Sequence, residues 1–241
     1  MKKIIVTTSV KTTLELNDSA QKLADELNLE YVKRNKTTIK QLLETAKGVI
    51  VVYRNKLSYF ENDSEFFFHL DTTALKIKNS DNEPLVEITG KEKKNVLDCT
   101  MGLAGDSILL SYYGHNVTSI EKNKIIYLIT SNGLKNYISP SEEINKAMRK
   151  IITYNYDCID YLKSTPDNSF DIVYFDPMFS HNIKESENLS GITLLADKSF
   201  PYEEFIKEAS RIGKDKIIIK AHFKDNISVS YTHLTLPTNR E

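Results

Sequence analysis

Apolar and polar positions alternate along this chain with two periods, and the way the periods succeed one another divides it in two. Apolar runs at 4–6, 49–53, 57–60 and 66–70 have the length of strands, the middle pair joined by a tight Arg54-Asn55-Lys56 turn. Among them, Ala20, Leu23, Ala24 and Leu27 recur at helical spacing over 18–27. Ile39, Leu42 and Leu43 share one side of a second helix, which Thr37 or Thr38 would cap and which runs to about 46. The polar stretch at 79–84 (Asn-Ser-Asp-Asn-Glu-Pro) then breaks the pattern. Residues 1–78 therefore read as a small α+β module.

Beyond the break the elements alternate regularly. A short apolar element at 85–88 precedes a strand ending at Asp98. A helix follows, carried by Ile108, Leu109 and Tyr112 and closed at Gly114. Next come a strand at 115–120, a helix at 124–134 and a helix to about 150 opened by Ser139-Pro140-Ser141-Glu142, with proline at its first position. Strands at 151–156, 170–175 and 216–220 follow, the last preceded by a helix at 202–212 that Gly213 closes. Strands alternating with helices predict an α/β domain over 79–227, a doubly wound, mostly parallel sheet. Ser228 to Glu241 does not continue the pattern. It reads as a non-native tail, which would leave a sheet edge open and the usual C-terminal hairpin missing.

The strand-to-helix turn after Asp98 holds Gly102 and Gly105, which allow positive φ and a close approach of ligand to backbone. The helix start beyond them offers unpaired N–H groups. A strand, glycine turn and helix open a nucleotide-binding sheet, although a tight βα turn has the same look. Glu121 ends the next strand, 23 positions after Asp98 (121 − 98), where an acid accepts hydrogen bonds from both ribose hydroxyls. The alternative is a surface glutamate in the Glu121-Lys122-Asn123 turn. Asp157 ends the third strand and could receive an adenine amino group or cap the following turn. Asp176, Pro177 and Phe179 close the fourth: an acid, carbonyls exposed by a rigid turn, and a ring within four residues suit a planar amine. A strand-ending turn with a core phenylalanine would look similar. Residues 180–197 lack periodicity and read as a lid holding His181, its one plausible proton acceptor, or simply a polar surface histidine.

Composition changes this picture little. The chain has 241 residues, 40% of them hydrophobic, enough for a sizeable core, and its net charge of −1 gives no global attraction to nucleic acid. Locally, 31–57 contains Lys33, Arg34, Lys36, Lys40, Lys47, Arg54 and Lys56 against Glu44 alone, seven minus one giving +6. Such a surface could contact phosphates, or be the solvated face of a small domain. Tyr53, Tyr59 and Phe66-Phe67-Phe68 could stack on bases or form core. Cys99 and Cys158 have neither disulfide-framework nor metal-site spacing, and the apolar run near the N-terminus is too short for a membrane span. The expectation is a soluble cytoplasmic protein with reduced thiols, no membrane segment and no metal.

Together Asp98-Cys-Thr-Met-Gly102-Leu-Ala-Gly105-Asp106, Glu121 and Asp176-Pro-Met-Phe179 resemble the class I S-adenosylmethionine-dependent methyltransferases. Asp98-x-Thr100-x-Gly102-Leu103 and Asp176-Pro-Met-Phe-x-His181 are similar to the ribosomal small-subunit RNA guanine-N2 methyltransferase J family, over roughly residues 75 to 225. The resemblance implies a Rossmann-like sheet, S-adenosylmethionine as cofactor and ribosomal RNA as partner. It implies that Asp98, Gly102 and Asp106 border the methionine part, that Glu121 holds the ribose and that Asp157 lies near adenine. Thr100 and Lys122 complete the candidate cofactor set; Asp176, Pro177, Phe179 and His181 form the candidate catalytic set, with Asp176 and Phe179 facing the target base. The sequence departs from the family at Ala104, where glycine is usual, and at Gly105-Asp106 in place of Arg-Asp. A dehydrogenase would share the glycine turn but leaves Asp176-Pro-Met-Phe179 unexplained. A non-catalytic RNA-binding scaffold is the alternative from another class.

Overall fold

The structure is a computed structural model that describes residues 2–78, 83–176, 201–220 and 234–235. The described chain divides into two compact units, one of residues 2–69 with 128–137 and the other of the remainder.

The first unit begins with β1 (Ile4–Thr8), α1 (Leu14–Leu27), β2 (Glu30–Tyr31), α2 (Ile39–Thr45) and β3 (Gly48–Val52). β4 (Leu57–Glu61) and β5 (Ser64–Phe67) complete a sheet of order β2-β1-β3-β4-β5, parallel over the first three strands and antiparallel over the rest. β3, Gly-Val-Ile-Val-Val, is buried at every position, as a central strand covered on both faces must be. α1 starts four residues before its apolar stripe because Thr13 caps it, accepting from the Leu16 N–H. At α2 the expected cap forms as a full box: Thr38 Oγ1 accepts from Gln41 N (3.2 Å) while Gln41 Oε1 accepts from Thr38 N (2.9 Å).

The second unit contains α3 (Asp71–Lys78), α4 (Pro84–Thr89), β6 (Asn95–Asp98), α5 (Gly105–Tyr112), β7 (Asn116–Glu121) and the start of α6 (Lys124–Asn136). α7 (Glu142–Lys150), β8 (Ile152–Asn155), α8 (Cys158–Ser164), β9 (Phe170–Phe175), α9 (Tyr202–Ile212), β10 (Gly213–Ile219) and β11 (Leu234–Thr235) follow. The sheet order is β11-β10-β9-β6-β7-β8, with β6 to β10 all parallel. Strand order reverses between β6 and β9, which makes the gap outside their carboxyl ends the topological switch point. Each strand sends alternate residues to two cores. Val96, Val117, Ile172 and Tyr174 pack with Leu85, Leu109 and Leu110, whereas Leu97, Ile120, Val173 and Phe175 pack with Ile159, Leu162 and Phe205. Because both faces are covered, the strands read as continuous apolar runs.

Three expectations change. Ser141, not Ser139, caps α7: its Oγ accepts from Ile144 N, and Ser139 Oγ accepts from Ser141 N, so Pro140 lies before the helix. The division between units falls at His69/Leu70 rather than in the polar stretch 79–84, because α3 packs against α5. The sheet edge beyond β10 is not wholly open, since Leu234 and Thr235 pair antiparallel with Ile217 and Lys216. The rest of the tail lies outside the described residues.

Candidate active site

Parallel strands deliver their carboxyl ends to one edge, and here the ends of β6, β7 and β9 carry acids. Asp98 terminates β6 opposite Tyr174 of β9 and Ser119 of β7, and Glu121 terminates β7 opposite Asn155 of β8. Asp176 follows β9 directly. Its backbone N–H donates to Thr100 Oγ1 at 2.7 Å, so the turn after β6 and the turn after β9 are joined by a hydrogen bond.

The loop between β6 and α5 is held by backbone geometry. Met101 N donates to Ile120 O (2.9 Å), Gly102 has φ +51°, and Ala104, the residue before α5, has φ +60°. At Gly102 an added side chain would meet nothing nearer than 3.9 Å among the described residues, so the positive φ, and not crowding, favours glycine there. Ala104 adopts the left-handed conformation that glycine takes at less cost, which accounts for glycine being the expected residue.

Asp98 is only 2% exposed and accepts from Thr100 N (2.9 Å) and from the Ser107 hydroxyl, which also contacts Ser119 Oγ at 2.7 Å. Burial, reinforced by Asp106 and Asp176 and opposed by those two hydrogen bonds, pushes its carboxyl up to about 7. Glu121 accepts from Gly102 N (3.1 Å) and Asn123 N (2.8 Å), which fixes it beneath the glycine loop; burial raises its pKa against these bonds. Asp157 caps α8, accepting from Ile159 N (2.9 Å) and Asp160 N (3.3 Å), and its other oxygen pairs with Lys122 at 3.2 Å. The cap that the sequence left open as one of two roles is thus present.

Asp106, in the first turn of α5, lies in a charge network that sequence reading missed. Lys76 of α3 donates to its Oδ1 (2.6 Å), and Tyr174 OH (2.6 Å) and Lys220 Nζ (2.9 Å) donate to its Oδ2. Burial would raise this carboxyl, yet Lys220 and Lys76 hold it well below the usual carboxylate range. Lys220 also donates to Asp176 Oδ2 at 2.6 Å. The sequence signal for Lys220 is its place as the charged residue directly after β10; Lys76 and Tyr174 have no local signal. A cavity of about 530 Å³, lined by Lys76, Leu85, Ile88, Asp106, Tyr174 and Lys220, lies against this network.

Asp98, Thr100, Gly102, Asp106, Glu121, Lys122, Asp157 and Asp176 thus gather at one sheet edge. Pro177, Phe179 and His181 lie outside the described residues, as does the expected lid. An acid fixed at the β7 tip, a glycine-bearing loop and a helix N-terminus are the donors and acceptors that a nucleoside bearing an amino-acid arm needs, so these residues fit S-adenosylmethionine. Among the described residues, no group of three or more His, Cys, Asp and Glu side chains could hold a metal ion, and no helix is long and apolar enough to cross a membrane.

The first unit gives a mixed answer. Lys33, Lys36, Lys40, Lys47 and Arg54 are exposed. Arg34, however, is buried and bonds to Thr37 O and Thr8 O, so it belongs to the fold and not to a basic surface. Tyr59, Phe66 and Phe68 are buried as well, and core formation wins over base stacking for all three.

Residues 22–222 match the family model described as "Putative SAM-dependent methyltransferase". The chain is 35% identical over 229 residues to "Uncharacterized protein YpiP" of Bacillus subtilis, covering 91% of this chain and 89% of that one. It is 30% identical over 182 residues to "Ribosomal RNA small subunit methyltransferase J" of Francisella tularensis, covering 74% and 70%. The crystal structure of a SAM-dependent methyltransferase from Neisseria gonorrhoeae superimposes with a TM-score of 0.60 at 15% identity, over 89% of this chain and 83% of that one, and so shares the fold.

Proposed function

The chain belongs to the S-adenosylmethionine-dependent methyltransferases, and from that premise we propose that it transfers a methyl group to an exocyclic amine of a nucleobase, guanine N2 of small-subunit ribosomal RNA being the favoured acceptor. The observation that carries the reading is the bond from Asp176 N to Thr100 Oγ1, which ties the acceptor acid to the cofactor loop at the switch point between β6 and β9. The relative of 30% identity named for ribosomal RNA supports the substrate class, and the exposed lysines of the first unit support a phosphate-contacting surface. Buried free thiols at Cys99 and Cys158 fit the cytoplasm.

S-adenosylmethionine supplies a methyl group on a sulfonium, an already activated donor. The protein's work is then alignment. Gly102, Asp98, Thr100 and Asp106 would border the methionine arm, Glu121 would accept from the ribose hydroxyls, and Asp157 with Lys122 would flank the adenine. Asp176 would accept an N–H of the target amine, direct its lone pair, and stabilise the positive charge that develops on nitrogen. Phe179 would stack on the base, Pro177 would fix the turn, and His181 would take the released proton. No covalent intermediate is required.

A radiolabelled methyl-transfer assay on undermethylated small ribosomal subunits tests this. Asp176→Ala is expected to lower transfer at least about 100-fold while calorimetry shows S-adenosylmethionine binding nearly intact. Retained turnover refutes the role of Asp176. Binding of NAD in place of S-adenosylmethionine would refute the cofactor assignment.

A further inference from the structure

We propose that Lys220 is a positioning residue for methyl transfer: its ammonium, shared between Asp106 and Asp176, keeps the Asp176 carboxylate charged and aimed at the incoming amine. This rests on the reading above, in which Asp176 receives that amine.

The geometry follows from strand register. Ile219 pairs with Phe175, and Lys220 N donates to Phe175 O at 2.9 Å, so the residue after β10 must lie beside the residue after β9. Lys220 Nζ then reaches Asp176 Oδ2 at 2.6 Å and Asp106 Oδ2 at 2.9 Å. Asp106 does not monopolise that charge, because Lys76 already neutralises its Oδ1 and Tyr174 donates to its Oδ2. Among the described residues Lys220 bonds only one oxygen of the Asp176 side chain, leaving the other for an N–H of substrate.

The groups that face Asp176 set up a competition. Asp98 from β6 and Asp106 from α5 are acids, Tyr174 from β9 is neutral, and Lys76 from α3 and Lys220 are cations. Burial and Asp106 favour a neutral Asp176, and Lys220 is the largest opposing influence. Without it, three acids would share one cation among the described residues. A protonated Asp176 would lose the charge that stabilises the developing ammonium.

Carboxyl carbon NMR titration of Asp-labelled full-length protein tests the proposal, with Asp176→Asn assigning the resonance. In Lys220→Met the Asp176 midpoint should rise by about one pH unit or more, and Lys220→Arg should restore it. The acid limb of kcat/KM for methyl transfer should move to higher pH in step, while S-adenosylmethionine affinity stays within about threefold, less than 1 kcal/mol. An unmoved titration overturns the proposal. So does a titration that moves while the acid limb stays, or a loss of transfer uniform in pH that Lys220→Arg does not relieve. If the unsubstituted protein methylates no nucleobase amine, the functional reading fails, and the carboxyl titration still decides whether Lys220 governs Asp176.

Discussion

Asp98→Asn removes a buried charge while keeping the shape of the side chain. The Asp98 carboxyl has no ion pair among the described residues and accepts from Thr100 N, from the Ser107 hydroxyl and, at 3.5 Å, from the Thr100 hydroxyl. Burial lifts it from 3.8 to about 7, so the folded chain keeps a proton that the unfolded chain releases near pH 4. The favourable contribution is complete below the unfolded value and is lost as pH rises through about 7. At about 1.4 kcal/mol per pH unit, a gap of about three units costs the cofactor-free chain roughly 4 kcal/mol at pH 8. The asparagine variant escapes this cost but rearranges one hydrogen bond at Ser107, which costs about 1 kcal/mol at any pH. Relative to the unsubstituted chain it should therefore be about 1 kcal/mol less stable near pH 4 and about 3 kcal/mol more stable near pH 8. Urea unfolding followed by far-UV circular dichroism at several pH values measures the difference. Other titrating groups at the edge largely cancel in that comparison. A stability difference that does not change with pH would show that Asp98 ionises normally in the fold and would refute the reasoning.

Gly133 in α6 lies where an added Cβ would come within 2.0 Å of Phe68 Cγ and 2.4 Å of Phe68 Cβ, the rigid root of that side chain. Helix propensity favours Gly133→Ala by about 1 kcal/mol, but overpacking costs about 1–3 kcal/mol or more, so net destabilisation is expected in urea unfolding. A stabilised variant would mean that the ring yields. Thr38→Ala removes the half of the α2 capping box in which Thr38 Oγ1 accepts from Gln41 N, and should cost about 1 kcal/mol. Hydrogen exchange at the first turn of α2 should speed up accordingly, and unchanged protection there would count against the cap.

The alternation of strands and helices, the glycine loop, and the acids Asp98, Glu121, Asp157 and Asp176 at strand ends were all legible in the sequence. Periodicity, turn chemistry and capping act over a few residues, and so leave local marks. The expectation of Rossmann-like architecture held for the same reason. Tertiary structure decided the rest. That β6 lies between β7 and β9, and hence that Asp98 and Asp176 share an edge, depends on which apolar faces pack together, and no short stretch encodes it. Arg34 reads as one more surface cation until the fold encloses it against Thr8 O. Asp106 draws Lys76 from 30 positions away and Lys220 from 114, through helix packing in one case and strand register in the other. Contacts across such separations exist only once the chain has folded, because nothing but the packed sheet and helices brings those charges within hydrogen-bonding distance.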